Sequence, residues 1–192
     1  VLGYDLIADE MKDKELSELV KRIGLVEGMP VVTNPGIIDP EKFADEVINV
    51  RIPNPFMPDT PQRIATDTSQ KVGIRYGETI KSYVAKDGSA RALTAIPLAI
   101  AGWCRYLLGI DDNGEAFELS PDPMADELKC QLDGIVWGES SSYTGQLKNL
   151  LSNANIFGIN LYEAGIGDKI EEMFVEEISG KGAIRETLKK YL

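Results

Sequence analysis

At 192 residues, with 43% apolar and 27% charged side chains, the chain is long enough to bury a conventional core without a metal or a disulfide. A formal net charge of -11 argues against nucleic acid as a partner, because no cluster of Lys and Arg stands out beyond Lys189-Lys190. The sequence has no histidine, which removes the usual triad base and the commonest nitrogen ligand of zinc, and the two cysteines, Cys104 and Cys130, cannot form a structural cluster.

Taken in chain order, residues 2–11 and 14–23 predict a helical hairpin with Gly24 as its stop. Met29 to Thr33 has a weak strand signal, and Asp39-Pro40 caps a helix running to about Ile48. Four prolines, Pro53, Pro55, Pro58 and Pro61, then predict an extended connection across the surface. Thr60-Pro61 gives an N-cap and a first-turn proline, so a helix is expected from there to about Val72, and another over 77–84 ended by Asp87-Gly88-Ser89. The apolar run over 92–108 approaches the length of a membrane span but carries Thr94, Pro97 and Arg105. It reads as a buried central helix, kinked or divided at Pro97.

Asp111-Asp112-Asn113-Gly114 predicts a turn or short hairpin, with a second weak strand signal over 117–119. Helices over 124–137, 143–151, 168–178 and 184–192 complete a mainly α, multi-helical domain with no alternation of strand and helix. Gly165-Ile166-Gly167 lacks the third glycine and the preceding strand of a dinucleotide loop. Gly138-Glu139-Ser140-Ser141-Ser142 lacks the second glycine of a nucleophile elbow. Cys104 and Cys130 both stand in apolar helical contexts and read as reduced core residues of a cytoplasmic protein. Trp103, Tyr106 and Leu107, at helical spacing, read as core rather than as a stacking platform.

The polar stretch 51–83 carries the chemistry. On a continuous helix over 61–72, Arg63, Asp67 and Lys71 would share one face at spacings of four, and only Ile64, Ala65 and Val72 are apolar. Such a helix lies in water as an ion-pair ladder or lines a polar cleft. Thr66 is a possible additional hydrogen-bonding residue.

The motif Arg51-Ile52, Asn54-Pro55, Asp59-Thr60, Arg63-Ile64, Asp67, Ser69, Lys71 resembles the C-terminal domain of the long-chain mannitol dehydrogenase family. The similarity continues through residues 99–107, 109–114, Asp122-Pro123 and Ile156-Phe157-Gly158, so it covers most of the chain. The resemblance implies a helical domain like that of 6-phosphogluconate dehydrogenase, spanning 1–192 as the substrate-binding part. The parent would be an NAD(P)-dependent oxidoreductase acting on open-chain polyols, ketoses or sugar acids, with NAD or NADP held mainly by an N-terminal Rossmann domain.

The family's catalytic Lys, Asn and His would lie upstream of Val1, leaving no catalytic residue in this chain, which alone would be inactive. The resemblance assigns Arg63 and Lys71 to substrate oxygens; from the spacing, Asp67 either holds one of them in place or makes a purely structural ion pair, and Thr66 is a supporting candidate. An Arg fork and a mobile Lys charge suit a polyhydroxylated chain or its carboxylate. The block AGWCRYLLGID favours fructuronate reduction to mannonate, with mannitol and fructose next and tagaturonate after them. On this reading Arg63 and Lys71 point into a cleft open on the side where Val1 emerges. The rival is a non-catalytic acidic helical interaction module, on which they are exposed and paired only with Asp67.

Overall fold

Caps and stops that the sequence supplies set several of the helix ends in the computed structural model, which describes residues 1–57 and 59–192. After an irregular start, the single turn α1 (Ile7–Glu10) leads into α2 (Lys14–Lys21). The Asp13 carboxylate caps α2 by accepting from the Leu16 N–H at 3.1 Å and also pairs with Arg185. The chain does not stop at Gly24. It widens into a π-helix over Arg22–Gly28 and tightens into a 3-10 turn at Met29–Val31, so the strand expected at 29–33 does not form. Glycine serves at position 24 because a β-carbon there would strike Ile48 Cδ1.

α3 (Pro40–Glu46), capped by Asp39, runs into a second π-turn at Val47–Arg51. The expected helix over 61–72 is two pieces, α4 (Pro61–Ile64) and α5 (Thr68–Val72), and Asp67 between them is left-handed at φ 53°. Its backbone N–H leaves the helix ladder and donates to the Pro121 carbonyl at 2.9 Å. Pro58 of the expected extended connection lies outside the described residues. A third π-turn, Gly73–Gly77, joins α5 directly to α6 (Glu78–Asp87), which ends at Gly88 with φ 73°.

The central apolar helix is α7 (Ala95–Tyr106). Pro97 falls in its first turn, where the missing N–H leaves no ladder bond unmade, so it neither kinks nor divides the helix. The N-terminus of α7 is capped from a distance: the buried Glu27 carboxylate accepts from Thr94, Ala95 and Ile96 N–H groups at 2.6, 2.7 and 2.8 Å. After α7 the turn at 111–114 closes a hairpin held by one antiparallel bridge, Ile110 to Ala116, and no strand forms over 117–119.

Four further helices follow α8 (Ala125–Gln131), namely α9 (Lys148–Leu151), α10 (Ala154–Phe157), α11 (Gly167–Glu177) and α12 (Ala183–Tyr191). Three expected helices are shorter than the sequence predicts. Gly3, Gly134 and Gly145 all sit at positive φ inside them, and an amphipathic pattern does not override that. Among the described residues there is no sheet, and the mainly α fold class holds.

The core is centred on α7 and α11, with Leu93, Ile100, Cys104, Leu150, Phe157, Met173 and Phe174 buried. Each large apolar side chain buried there contributes about 1.5–3 kcal/mol. Arg105 is fully buried among them, donating to the carbonyls of Ile110 at 2.6 Å, Asp111 at 3.0 Å and Glu177 at 3.3 Å, and so ties the hairpin to α7 and α11. Cys104 is a core thiol, but Cys130 is exposed because α8 turns it away from Leu128 and the interior; both are free. No helix among the described residues is long and apolar enough to cross a membrane.

Candidate functional site

A cleft of about 500 Å³ is lined by Ile23, by Arg63, Ile64, Thr68, Lys71, Val72, Arg75 and Tyr76 of the polar stretch, and by Ala99 and Trp103 of α7. It therefore brings together the two residues that the sequence motif singles out. Arg63 stands at the end of α4, whose Thr60 cap accepts from the Arg63 N–H at 3.2 Å, while Lys71 belongs to α5.

Each cation is held in a different way. Arg63 pairs with Asp59 through both Nε and Nη2, the Nε–Oδ1 distance being 2.5 Å, and its side chain remains 73% exposed. The Arg63 fork holds the Asp59 carboxyl below the usual carboxylate range, and Asp59 raises the guanidinium in turn. Lys71 folds back across the gap at Asp67 and donates from Nζ to the carbonyls of Thr66 and Ile64, the latter at 3.4 Å. Those carbonyls are freed by the end of α4, so the lysine both closes the break between helices and presents a charge at the wall.

Asp67 does not join this arrangement. The ladder of Arg63, Asp67 and Lys71 required a continuous helix, and the left-handed residue breaks its register; Asp67 makes no ion pair with either cation, and Arg63 takes Asp59 instead. Thr66 contributes its carbonyl to Lys71, while its hydroxyl donates to the Gln62 carbonyl at 3.3 Å. Val1 is not in the wall of the cleft. It lines a neighbouring groove with Leu98, Gly102 and Glu177, and Ala99 of α7 is common to both depressions.

Several wall residues were not singled out from the sequence. Thr68 accepts from Trp103 Nε1 at 2.9 Å and donates to Asp122 at 3.3 Å. Asp122 also accepts from the Ser69 N–H and hydroxyl and from the Met124 N–H. Burial opposes ionisation of Asp122, yet those donors outweigh it and hold the carboxyl below its ordinary value. One carboxylate thus caps both α5 and α8 and fixes the wall that carries Lys71. Trp103 is buried, as its helical spacing predicts, and its edge reaches the cleft. Arg75, four residues beyond Lys71 in the same polar stretch, could have been found by extending the spacing rule one turn further.

With this geometry in place, the comparisons with known proteins are specific. Residues 1–178 match the family described as the mannitol dehydrogenase C-terminal domain. A D-mannonate oxidoreductase of Thermotoga maritima is 54% identical over 191 residues, covering 99% of this chain and 35% of that protein. The D-mannonate oxidoreductase of Escherichia coli is 31% identical over 127 residues, 66% of this chain and 25% of its own length. Among solved structures, Pseudomonas fluorescens mannitol 2-dehydrogenase in a ternary complex with NAD and D-mannitol superposes with a TM-score of 0.81 at 22% identity, over 98% of this chain and 35% of that one. The chain thus spans about a quarter to a third of the length of these relatives, and the last likeness speaks for the fold. A match across most of the chain, on a helical fold shared with a member of known structure, makes this chain a C-terminal domain of the mannitol dehydrogenase family.

Proposed function

We propose that this chain, 1–192, is the substrate-side domain of an NAD(P)-dependent oxidoreductase that reduces a ketouronate, fructuronate to mannonate, at a carbonyl carbon. The observation that carries the reading is the cleft in which Arg63 and Lys71 stand on one wall, both cationic and both held in place by groups that leave donors to spare. A guanidinium and an ammonium fixed in this way can orient a hydroxylated chain without any change in their own protonation. The choice of a sugar acid is supported by the D-mannonate oxidoreductase that is 54% identical to this chain over 191 residues. Mannitol with fructose is the second reading, in keeping with the mannitol dehydrogenase family match over residues 1–178.

The Gly165-Ile166-Gly167 segment does not fit a dinucleotide loop. Gly165 and Gly167 are packed against Ser89, Arg91 and Tyr162, so their backbone is not free to face a pyrophosphate. On this reading NAD or NADP, the hydride carrier of the reaction, is held mainly by a Rossmann domain elsewhere in the parent protein, together with the family's Lys, Asn and His. Without them the chain alone is inactive. What this chain contributes is binding and orientation. The two free thiols, Cys104 and Cys130, agree with a reducing, cytoplasmic setting.

The test is turnover by the full-length protein, followed as NADH or NADPH consumption with fructuronate, tagaturonate and fructose, with Arg63→Ala and Lys71→Ala alongside. Turnover of one substrate, with both variants losing at least about tenfold in kcat/KM, supports the reading. Turnover of none, or variants equal to the parent, leaves the cleft a surface feature of an acidic helical module.

A further inference from the structure

The cleft holds a third cation, and it differs from the other two. Arg63 is committed to Asp59, and Lys71 to the carbonyls of Ile64 and Thr66. Arg75 lines the same cleft, is exposed, and among the described residues has neither an ion pair nor a side-chain hydrogen bond. Its direction is set by the far side of the same helical run. Gly73 and Gly77 lie so close to α10 that a β-carbon at either would fall on the carbonyl oxygen of Ile156 or Phe157. That face is clamped to α10, and positions 71 and 75, two residues out of phase with 73 and 77, are turned the other way, toward the cleft. Because the Gly73–Gly77 segment is a π-turn, four residues make just under one revolution, which keeps Lys71 and Arg75 on one side.

We propose that Arg75 is the carboxylate-binding residue of this cleft and the one that separates a sugar acid from a neutral polyol. The inference rests on the oxidoreductase reading above and adds a specificity determinant to it. A ketouronate ends in two acceptor oxygens bearing a full negative charge, where a ketose ends in a hydroxymethyl group. An unpaired guanidinium meets the former with two parallel charge-assisted hydrogen bonds and has no comparable contact to make with the latter. The surroundings add apolar contact area for the rest of the substrate chain, since Tyr76, Val72 and Trp103 line the same cleft. Arg63 and Lys71 are less able to make this distinction, because part of each one's donor capacity is already spent within the protein.

The experiment uses the full-length parent enzyme with Arg75→Leu, Arg75→Gln and Arg75→Lys, each checked for an unchanged melting temperature. Initial rates are read with fructuronate and with fructose. The expected result is that Arg75→Leu and Arg75→Gln raise KM for fructuronate by about 10–100-fold, change kcat much less, and lower the ratio of kcat/KM for fructuronate over fructose at least tenfold. Arg75→Lys should recover part of that ratio, since it restores charge without the fork. An unchanged ratio, whether through equal losses on both substrates or through no loss on either, overturns the proposal while leaving the oxidoreductase reading intact. If the unsubstituted enzyme turns over neither substrate, the oxidoreductase reading itself falls and this inference falls with it.

Discussion

The two halves of the chain are built on different terms. In residues 78–192, α7 and α11 bury Ile96, Leu98, Ile100, Ile170, Met173 and Phe174 essentially completely. In residues 14–77, α2, α3 and α4 bury no residue, all three π-turns occur, and the exposed large apolar side chains Val26, Val32, Ile37, Ile38, Phe43, Val50, Phe56, Met57, Ile64 and Ile74 accumulate. The first half takes its shape from caps and backbone contacts with the second; the second takes its shape from burial. The cleft lies on the seam, with Arg63, Lys71 and Arg75 on the capped side and Ala99 and Trp103 on the packed side. A binding wall made this way can hold polar groups outward because it does not need them for its own stability.

The largest expected effect breaks the assumption that the packed half is inert to conditions. Burial pushes the Glu177 carboxyl up to about 8 from an ordinary 4.5, against the opposing pull of buried Arg105, and its Oε2 has no partner. The folded state therefore holds this proton more tightly than the unfolded one. The associated stability is complete below about pH 4.5 and is lost as pH rises to about 8, with a ceiling of about 5 kcal/mol. Denaturant unfolding of the chain at pH 5, 6, 7 and 8 should show that fall, and Glu177→Gln should flatten it; a flat profile for the unsubstituted chain would falsify the buried acid. Next in size are Gly73→Ala and Gly77→Ala, where backbone rather than a flexible side chain stands in the way. Each should cost about 3 kcal/mol in the same measurement, large for the loosely packed half because both positions lean on α10.

What the sequence disclosed divides along the same seam. In the packed half, periodicity located α7, α11 and α12 to within a few residues, because burial enforces one face per helix. Around the cleft, local signals succeeded one residue at a time. Thr60 and Asp39 cap as their chemistry predicts, and Gly88 stops α6. The failures were nonlocal. Asp67 turns left-handed because the Pro121 carbonyl, 54 residues on, takes its N–H. Gly24 lies within a π-helix instead of ending α2, and its missing β-carbon leaves room for Ile48, 24 residues on. Asp122 organises the wall from a distance that no spacing rule covers. Arg63 and Lys71 were legible through a motif, and Arg75, within reach of the same spacing rule, was given a reason only once the π-turn fixed its side.

Smaller effects sharpen the contrast. Thr68→Val removes the acceptor for Trp103 Nε1 and a donor to Asp122 at the seam itself, so it should cost about 1–2 kcal/mol of stability. The smallest stability change is expected at Asp59→Asn. Asp59 and Arg63 form a pair open to water, and such pairs contribute little to folding, so the unfolding midpoint should not move measurably. Function should respond all the same. The Asp59 carboxylate fixes the Arg63 fork through two of its nitrogens, and an amide in its place accepts through one oxygen only and carries no charge. The guanidinium then samples more rotamers before it meets a substrate, which raises KM in the full-length enzyme while the chemistry at the carbonyl, and hence kcat, changes less. A loss of stability without a change in KM would reverse the assignment, making the pair part of the scaffold rather than of the binding wall.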